Sequence, residues 1–172
     1  IEGGLRIQHR TQHHRPLAHP WLGGSGPNHE AYAQRMIDPP DIPGGGKVIG
    51  VGIDQIEVSR IRDSLDRHGS GFLDKIFTPA EQAYCSDKAN PAPHYAARFA
   101  AKEAVAKAFG TGLGKEFGWL DAEVNHGPAG EPTLGFSEKG RALLLEKGGS
   151  DALVSLTHLD EVASSIVILI QR

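Results

Sequence analysis

A single cysteine, Cys85, stands in a chain of 172 residues. That excludes an internal disulfide, leaves no partners for a zinc knuckle, and suits a reducing cytoplasm. No apolar run approaches the roughly 20 residues that a membrane span requires; the longest, "SSIVILI" at 164 to 170, is strand-length. The N-terminus lacks the apolar core of a secretory signal. Nor is there a surplus of bases. The balance of 18 Lys and Arg against 21 Asp and Glu leaves a net charge of -3, which argues against nonspecific binding to nucleic acid. No Gly-x-Ser-x-Gly elbow is present. A cytoplasmic protein is expected, acting on neither nucleic acid nor membrane, with length for one domain and a real core.

Composition changes near residue 47. Residues 1–46 hold six of the 11 prolines, eight of the 22 glycines and five of the nine histidines. They show no sustained period of 2 or 3.6 and bury too little apolar surface to offset their ordering entropy, so they read as a flexible extension. Their histidines form a solvated tail, with a bound metal ion as the alternative. The only methionine is Met36, so one expectation is that the natural chain starts there and the preceding residues derive from elsewhere.

From Lys47 the pattern is regular, and residues 47–172 read as the folded domain. "KVIGVGID" alternates Ile49, Val51 and Ile53 with Gly50, Gly52 and Asp54, as a strand does. "VSRIRDSLDRHG" places Val58, Ile61 and Leu65 at helical spacing and stops at Gly69. "FTPAEQAYCSD" opens with a capping box, Thr78 as N-cap, Pro79 next and Glu81 at the third position. A long helix over about 93 to 109 follows, ended by Gly110 and Gly112. "WLDAEV" and "EPTLGF" predict a hairpin, "SEKGRALLLEKGG" a helix capped by Ser137, and "DALVSLTH" with "EVASSIVILI" a closing antiparallel pair. The order β α α α β β α β β predicts an α+β fold, a mostly antiparallel sheet packed with a long helix.

The chemistry concentrates in two stretches. In "GVGID" a dinucleotide fingerprint would need a third glycine at position 55, which is Gln55. The glycines instead leave the face that carries Asp54 bare, so that a ligand or another backbone can come close. Asp54 is then either a site carboxylate or the cap of the following helix. In "RFAAKEAVAKAFGTG" Glu103 is flanked by Arg98, Lys102 and Lys107. Glu103 with Lys107 makes either an i, i+4 pair on a solvated face or part of a site. Alanines 97, 100, 101, 104 and 106 keep this helix thin enough to lie close against a sheet. A carboxylate on a strand and another on a facing helix suit magnesium, and the flanking bases suit phosphates. His158, closing "SLTH", is a turn histidine or a proton-transfer group. Cys85 reads as packing.

"GVGIDQIEVSRI", "FTPAEQAYC", "RFAAKEAVAKAFGTG" and "VSLTHLDEVASSIV", in this order, resemble the holo-[acyl-carrier-protein] synthases, the small bacterial class of 4′-phosphopantetheinyl transferases, from about Val48 to Ile170. Gly52, Ile53 and Asp54, then Phe99, Lys102, Glu103 and Lys107, match the family's paired signature. The resemblance implies transfer of the 4′-phosphopantetheine arm of coenzyme A to a serine of acyl carrier protein for fatty acid biosynthesis, with release of adenosine 3′,5′-bisphosphate. It implies Mg2+ on Asp54 and Glu103, coenzyme A phosphates near Lys107, and Arg98, Lys102 and His158 around the nucleotide. It further implies carrier-protein contacts at Arg60 and Arg67, and a homotrimer with active sites between subunits. Glu103, a metal-bound water or His158 would accept the serine proton. A magnesium-dependent phosphohydrolase and a nucleotide-binding trimer without chemistry are the alternatives.

Overall fold

The computed structural model describes residues 45–172. The expectations for the N-terminal extension, its histidines and Met36 lie outside the described residues. The domain contains strand β1 (Lys47–Glu57), helices α1 (Val58–His68), α2 (Ser70–Ile76), α3 (Pro79–Ser86) and α4 (Pro91–Phe109), and strands β2 (Ala122–His126) and β3 (Pro132–Phe136). Helix α5 (Glu138–Glu146) and strands β4 (Asp151–His158) and β5 (Val162–Gln171) complete it. Strands β1, β5 and β4 form one antiparallel sheet in that order, and β2 and β3 form a separate hairpin. The α+β expectation holds, with two small sheets in place of one.

Three local differences have physical reasons. Helix α2 escapes the sequence pattern because seven residues give too few turns for a period to show. Helix α4 begins at Pro91, since prolines are accepted in a first turn whose N–H groups have no partner anyway. Strand β1 runs three residues past Asp54, pairing Asp54 with Ser165 of β5, so Asp54 lies within the strand and the cap position falls to Glu57. The caps at Thr78 and Ser137 form as expected, with each side-chain oxygen accepting from the backbone N–H of Glu81 or Gly140.

The core is built on α4, which is apolar nearly all round and buried along its length. Its first half packs with Ile56, Val58, Ile61, Ile76, Phe77 and Ala163; its second half packs with Phe117, Ala122, Leu144, Val167 and Leu169. The glycine face of β1 lies directly on the helix backbone. A Cβ at Gly52 would run into the Ala104 carbonyl oxygen, and one at Gly50 into that of Ala108. The bare face predicted from "GVGID" is therefore filled by another backbone. The opposite face of the sheet is open: Val51, Ile53, Leu153 and Ile166 are all exposed, Ile53 at 66%, in adjacent rows of the ladder.

Because backbone cannot yield as a side-chain tip can, Gly52→Ala is expected to destabilise the domain by about 1–3 kcal/mol. Urea unfolding monitored by circular dichroism measures this, and an unchanged midpoint would contradict the close approach.

Candidate active site

Strand β1 and helix α4 bring the signature residues of two distant stretches together. Lys107 reaches across from α4 to the strand, where its ammonium donates to Asp54 Oδ1 at 2.7 Å and to the Ile53 carbonyl at 3.1 Å. Lys107 thus pairs with Asp54 of the neighbouring strand, and the i, i+4 alternative is not the pair that forms. Glu103 lies near enough to Asp54 for the two charges to interact. Partial burial first, and Asp54 next, raise its carboxyl above the usual glutamate range, with Lys107 acting the other way. Two carboxylates with one ammonium between them leave negative charge to be met by a cation. The donor set is hard oxygen, suited to a divalent ion that takes one or two carboxylates and fills its remaining positions with water and substrate phosphate. Among the described residues, no group of three His, Cys, Asp and Glu side chains is placed to hold a metal.

Lys102 requires a correction. Its side chain is fully buried, and its three donor positions are all used inside the protein: Glu81 Oε2 at 2.8 Å, the Trp119 carbonyl at 2.8 Å and the Ala122 carbonyl at 2.6 Å. An ammonium with three donors has none left for a coenzyme phosphate. Burial pushes its pKa down while Glu81 pulls it back up. Glu81 is equally committed. Besides its capping bond from the Thr78 N–H, it accepts from the Val124 N–H of β2 at 3.0 Å.

Arg98 lies one turn before Lys102 and about 140° around the helix from Glu103, at 100° per residue. Its guanidinium sits 4.1 Å from the centre of the Tyr84 ring. Only 3% of the residue is exposed, and Nη1 donates to the His94 carbonyl. Its Nε and Nη2 are buried without a partner, a costly arrangement for a charged donor unless a ligand supplies the acceptor. Around Tyr84 stand Lys88, at 4.2 Å from the ring, and His126, stacked at 4.2 Å; His94 and His158 meet edge to face at 4.6 Å. Arg98 and His158 therefore share one cationic cradle, away from Asp54 and Glu103. Sequence reasoning missed Tyr84, Lys88, His94 and His126. Lys88 follows Tyr84 by four residues and His94 precedes Arg98 by four, the one spacing that could have pointed to them, while His126 comes from a strand with no such signal.

Arg60 and Arg67 are exposed on α1 and line an open cleft of about 270 Å³ together with Ile56, Phe72 and Phe99. Arg67 also makes a loose 3.5 Å contact with Asp63.

A family model described as the 4′-phosphopantetheinyl transferase superfamily matches residues 50–162. Holo-[acyl-carrier-protein] synthase from Koribacter versatilis is 46% identical over 122 residues, 71% of this chain and 98% of the relative. The enzyme of the same name from Chlamydia pneumoniae is 43% identical over 125 residues, 71% of this chain and 97% of its own. Among solved structures, the Bacillus anthracis synthase in complex with CoA (3′,5′-ADP) superposes with a TM-score of 0.61 at 35% identity, covering 73% of this chain and 98% of that one. The Helicobacter pylori synthase in complex with coenzyme A gives 0.62 at 28% identity, over 69% and 98%. The chain belongs to the 4′-phosphopantetheinyl transferase superfamily, a class of transfer enzymes whose fold it shares. Within that class its relatives are the holo-[acyl-carrier-protein] synthases.

Lys102→Met removes one partner of a fully buried pair and is expected to cost about 3–5 kcal/mol of stability. Lys107→Met, at a half-exposed pair, is expected to cost no more than about 1 kcal/mol. Denaturant titration of both variants distinguishes the internal strut from the site base, and equal losses would undo the distinction.

Proposed function

We propose that this transferase moves the 4′-phosphopantetheine arm of coenzyme A onto a serine of acyl carrier protein for fatty acid biosynthesis, in a magnesium-dependent reaction. The observation that carries this reading is the meeting of Asp54, Glu103 and Lys107 across β1 and α4. The complexes of relatives with coenzyme A support its substrate side.

The carrier serine oxygen attacks the phosphorus that bears pantetheine. The bond from that phosphorus to the bridging oxygen breaks, adenosine 3′,5′-bisphosphate leaves with the electron pair, and the serine proton passes to an acceptor. Asp54 and Glu103 would hold Mg2+, whose chemistry is neutralisation of the diphosphate charge. Lys107, already oriented by Asp54 and the Ile53 carbonyl, presents its remaining donor to phosphate oxygen. Glu103 or a water held beside it suits the acceptor role. His158, beside His94 and in the cradle with Arg98, suits nucleotide contact instead. On α1, Arg60 and Arg67 flank a cleft with apolar walls, a surface that fits an acidic helix carrying an apolar anchor. Buried Cys85 is compatible with work in the cytoplasm.

The assembly we propose is a homotrimer formed through the exposed apolar sheet face of Val51, Ile53, Leu153 and Ile166. Arg98 and Glu103 point from α4 in nearly opposite directions, so active sites between subunits would set one copy's carboxylates opposite a neighbour's cradle.

Apo acyl carrier protein incubated with this protein, coenzyme A and magnesium is expected to gain the mass of one phosphopantetheine arm. The gain should vanish with chelator and with Glu103→Gln. Persistence in both controls would sink the metal assignment, and absence of any gain would sink the reaction. The same Glu103→Gln protein should melt no lower than wild type at neutral pH. The native carboxyl binds protons more tightly than the unfolded one, so its ionised form costs stability as pH rises. Ile53→Lys is expected to convert the trimer to monomer in light scattering; a trimer that survives would move the interface elsewhere.

A further inference from the structure

We propose that Glu81 is a positioning residue for the transfer reaction. Through Lys102 it sets where α3 and β2 stand against α4, and so governs how tightly coenzyme A is held without touching it. The proposal rests on the coenzyme A reading above and gives a role to a carboxylate outside both charged sites.

A buried ion pair needs a reason other than stability. Taking two charges out of water costs about as much as their attraction returns, and well-packed apolar replacements are often no less stable. Glu81 and Lys102 are nonetheless wholly enclosed, and their bonds run to separate pieces of chain. Glu81 Oε2 accepts from the Lys102 ammonium at 2.8 Å and from the Thr78 N–H at 2.9 Å. Its Oε1 accepts from the Val124 N–H at 3.0 Å. Lys102 adds the carbonyls of Trp119 and Ala122, which lead into β2. Apolar burial is non-directional and lets elements slide, whereas these bonds have narrow limits of length and angle. What the pair supplies is register.

The register it supplies belongs to the coenzyme side of α4. Arg98 lies one turn before Lys102 on α4, Tyr84 three residues after Glu81 on α3, and His126 two after Val124 on β2. The contacts of the Tyr84 ring with Arg98 at 4.1 Å and with His126 at 4.2 Å join the same three elements. A second tie lies at the far end of α3, where the Tyr95 hydroxyl of α4 meets the Ser86 hydroxyl and donates to the Gln82 carbonyl. Loosening the pair would therefore pivot α3 about that end instead of freeing it. The carboxylate side is set by other means. There α4 rests on β1 through the close backbone approach at Gly50 and Gly52, which the pair does not touch. A change at Glu81 thus disturbs the Arg98 side and spares Asp54, Glu103 and Lys107.

The test is steady-state transfer by the full chain, with coenzyme A, apo acyl carrier protein and magnesium varied in turn. Glu81→Asp keeps both charges and shortens the reach by one methylene. Glu81→Gln/Lys102→Met removes both charges together, so that neither is stranded. In both variants the KM for coenzyme A is expected to rise about tenfold or more. The kcat at saturating coenzyme A and the magnesium requirement are expected to stay within about twofold of wild type. Titration calorimetry with coenzyme A in chelator should show the same weakening without turnover. If the double variant fails to fold, Glu81→Asp decides. A lower melting temperature with an unchanged KM and unchanged calorimetric affinity would overturn the proposal and leave the pair a purely structural device. A fall in kcat or a shifted magnesium requirement at constant KM would also overturn it, by placing the effect on the carboxylate side. Both of those results leave the transferase reading standing. Wild type that neither binds coenzyme A nor modifies carrier protein would remove that reading, and the proposal with it.

Discussion

The Glu81–Lys102 pair is the interaction on which the rest of the domain is hung. It lies wholly inside the protein, where an unpaired charge could not remain, so the two must meet before the core can close. Through it the first turn of α3, the middle of α4 and the start of β2 are locked in one register, with the carbonyls of Trp119 and Ala122 completing the shell. Each of these elements then carries a cradle residue a short step away: Tyr84 three residues beyond Glu81, Arg98 four before Lys102, and His126 two past Val124. A small shift at the pair would move Arg98 off the Tyr84 ring. The lysine of the family signature thus acts here through geometry.

Helix α4 separates two fields of opposite sign. On the β1 side, Asp54 and Glu103 leave an excess of negative charge that invites a cation. On the α3 side, Arg98 and Lys88 leave an excess of positive charge, and burial first, then these cations, lower the proton affinity of His94 and His126. The near absence of net charge in the chain as a whole conceals this division, because each excess is local.

Much of this was legible before the fold was known. The alternation of "KVIGVGID", the capping box at Thr78 and the alanine-lined helix placed Asp54, Glu103 and Lys107 on elements that could face each other, and they do. What escaped has a common cause. Lys102 beside Glu103 looked like one more base around a phosphate, and only a carboxylate 21 residues earlier explains its burial. The aromatic and histidine members of the cradle come from α3, α4, β2 and β4, joined by tertiary packing that no local period encodes. The strand face of Val51 and Ile53 was read correctly as apolar, yet it is the glycine face, without side chains, that meets the helix.

That inversion leaves apolar surface on the outside of the folded domain. A sheet normally hides its branched side chains and wets its other surface, but here the helix takes the glycines and the isoleucines face outward. β1 and β4 are also the two edges of the three-strand sheet, so a newly folded copy offers sticky flanks as well as a sticky face. Unguarded edges and apolar patches recruit strands they encounter, so this face and these edges are where another chain would attach first.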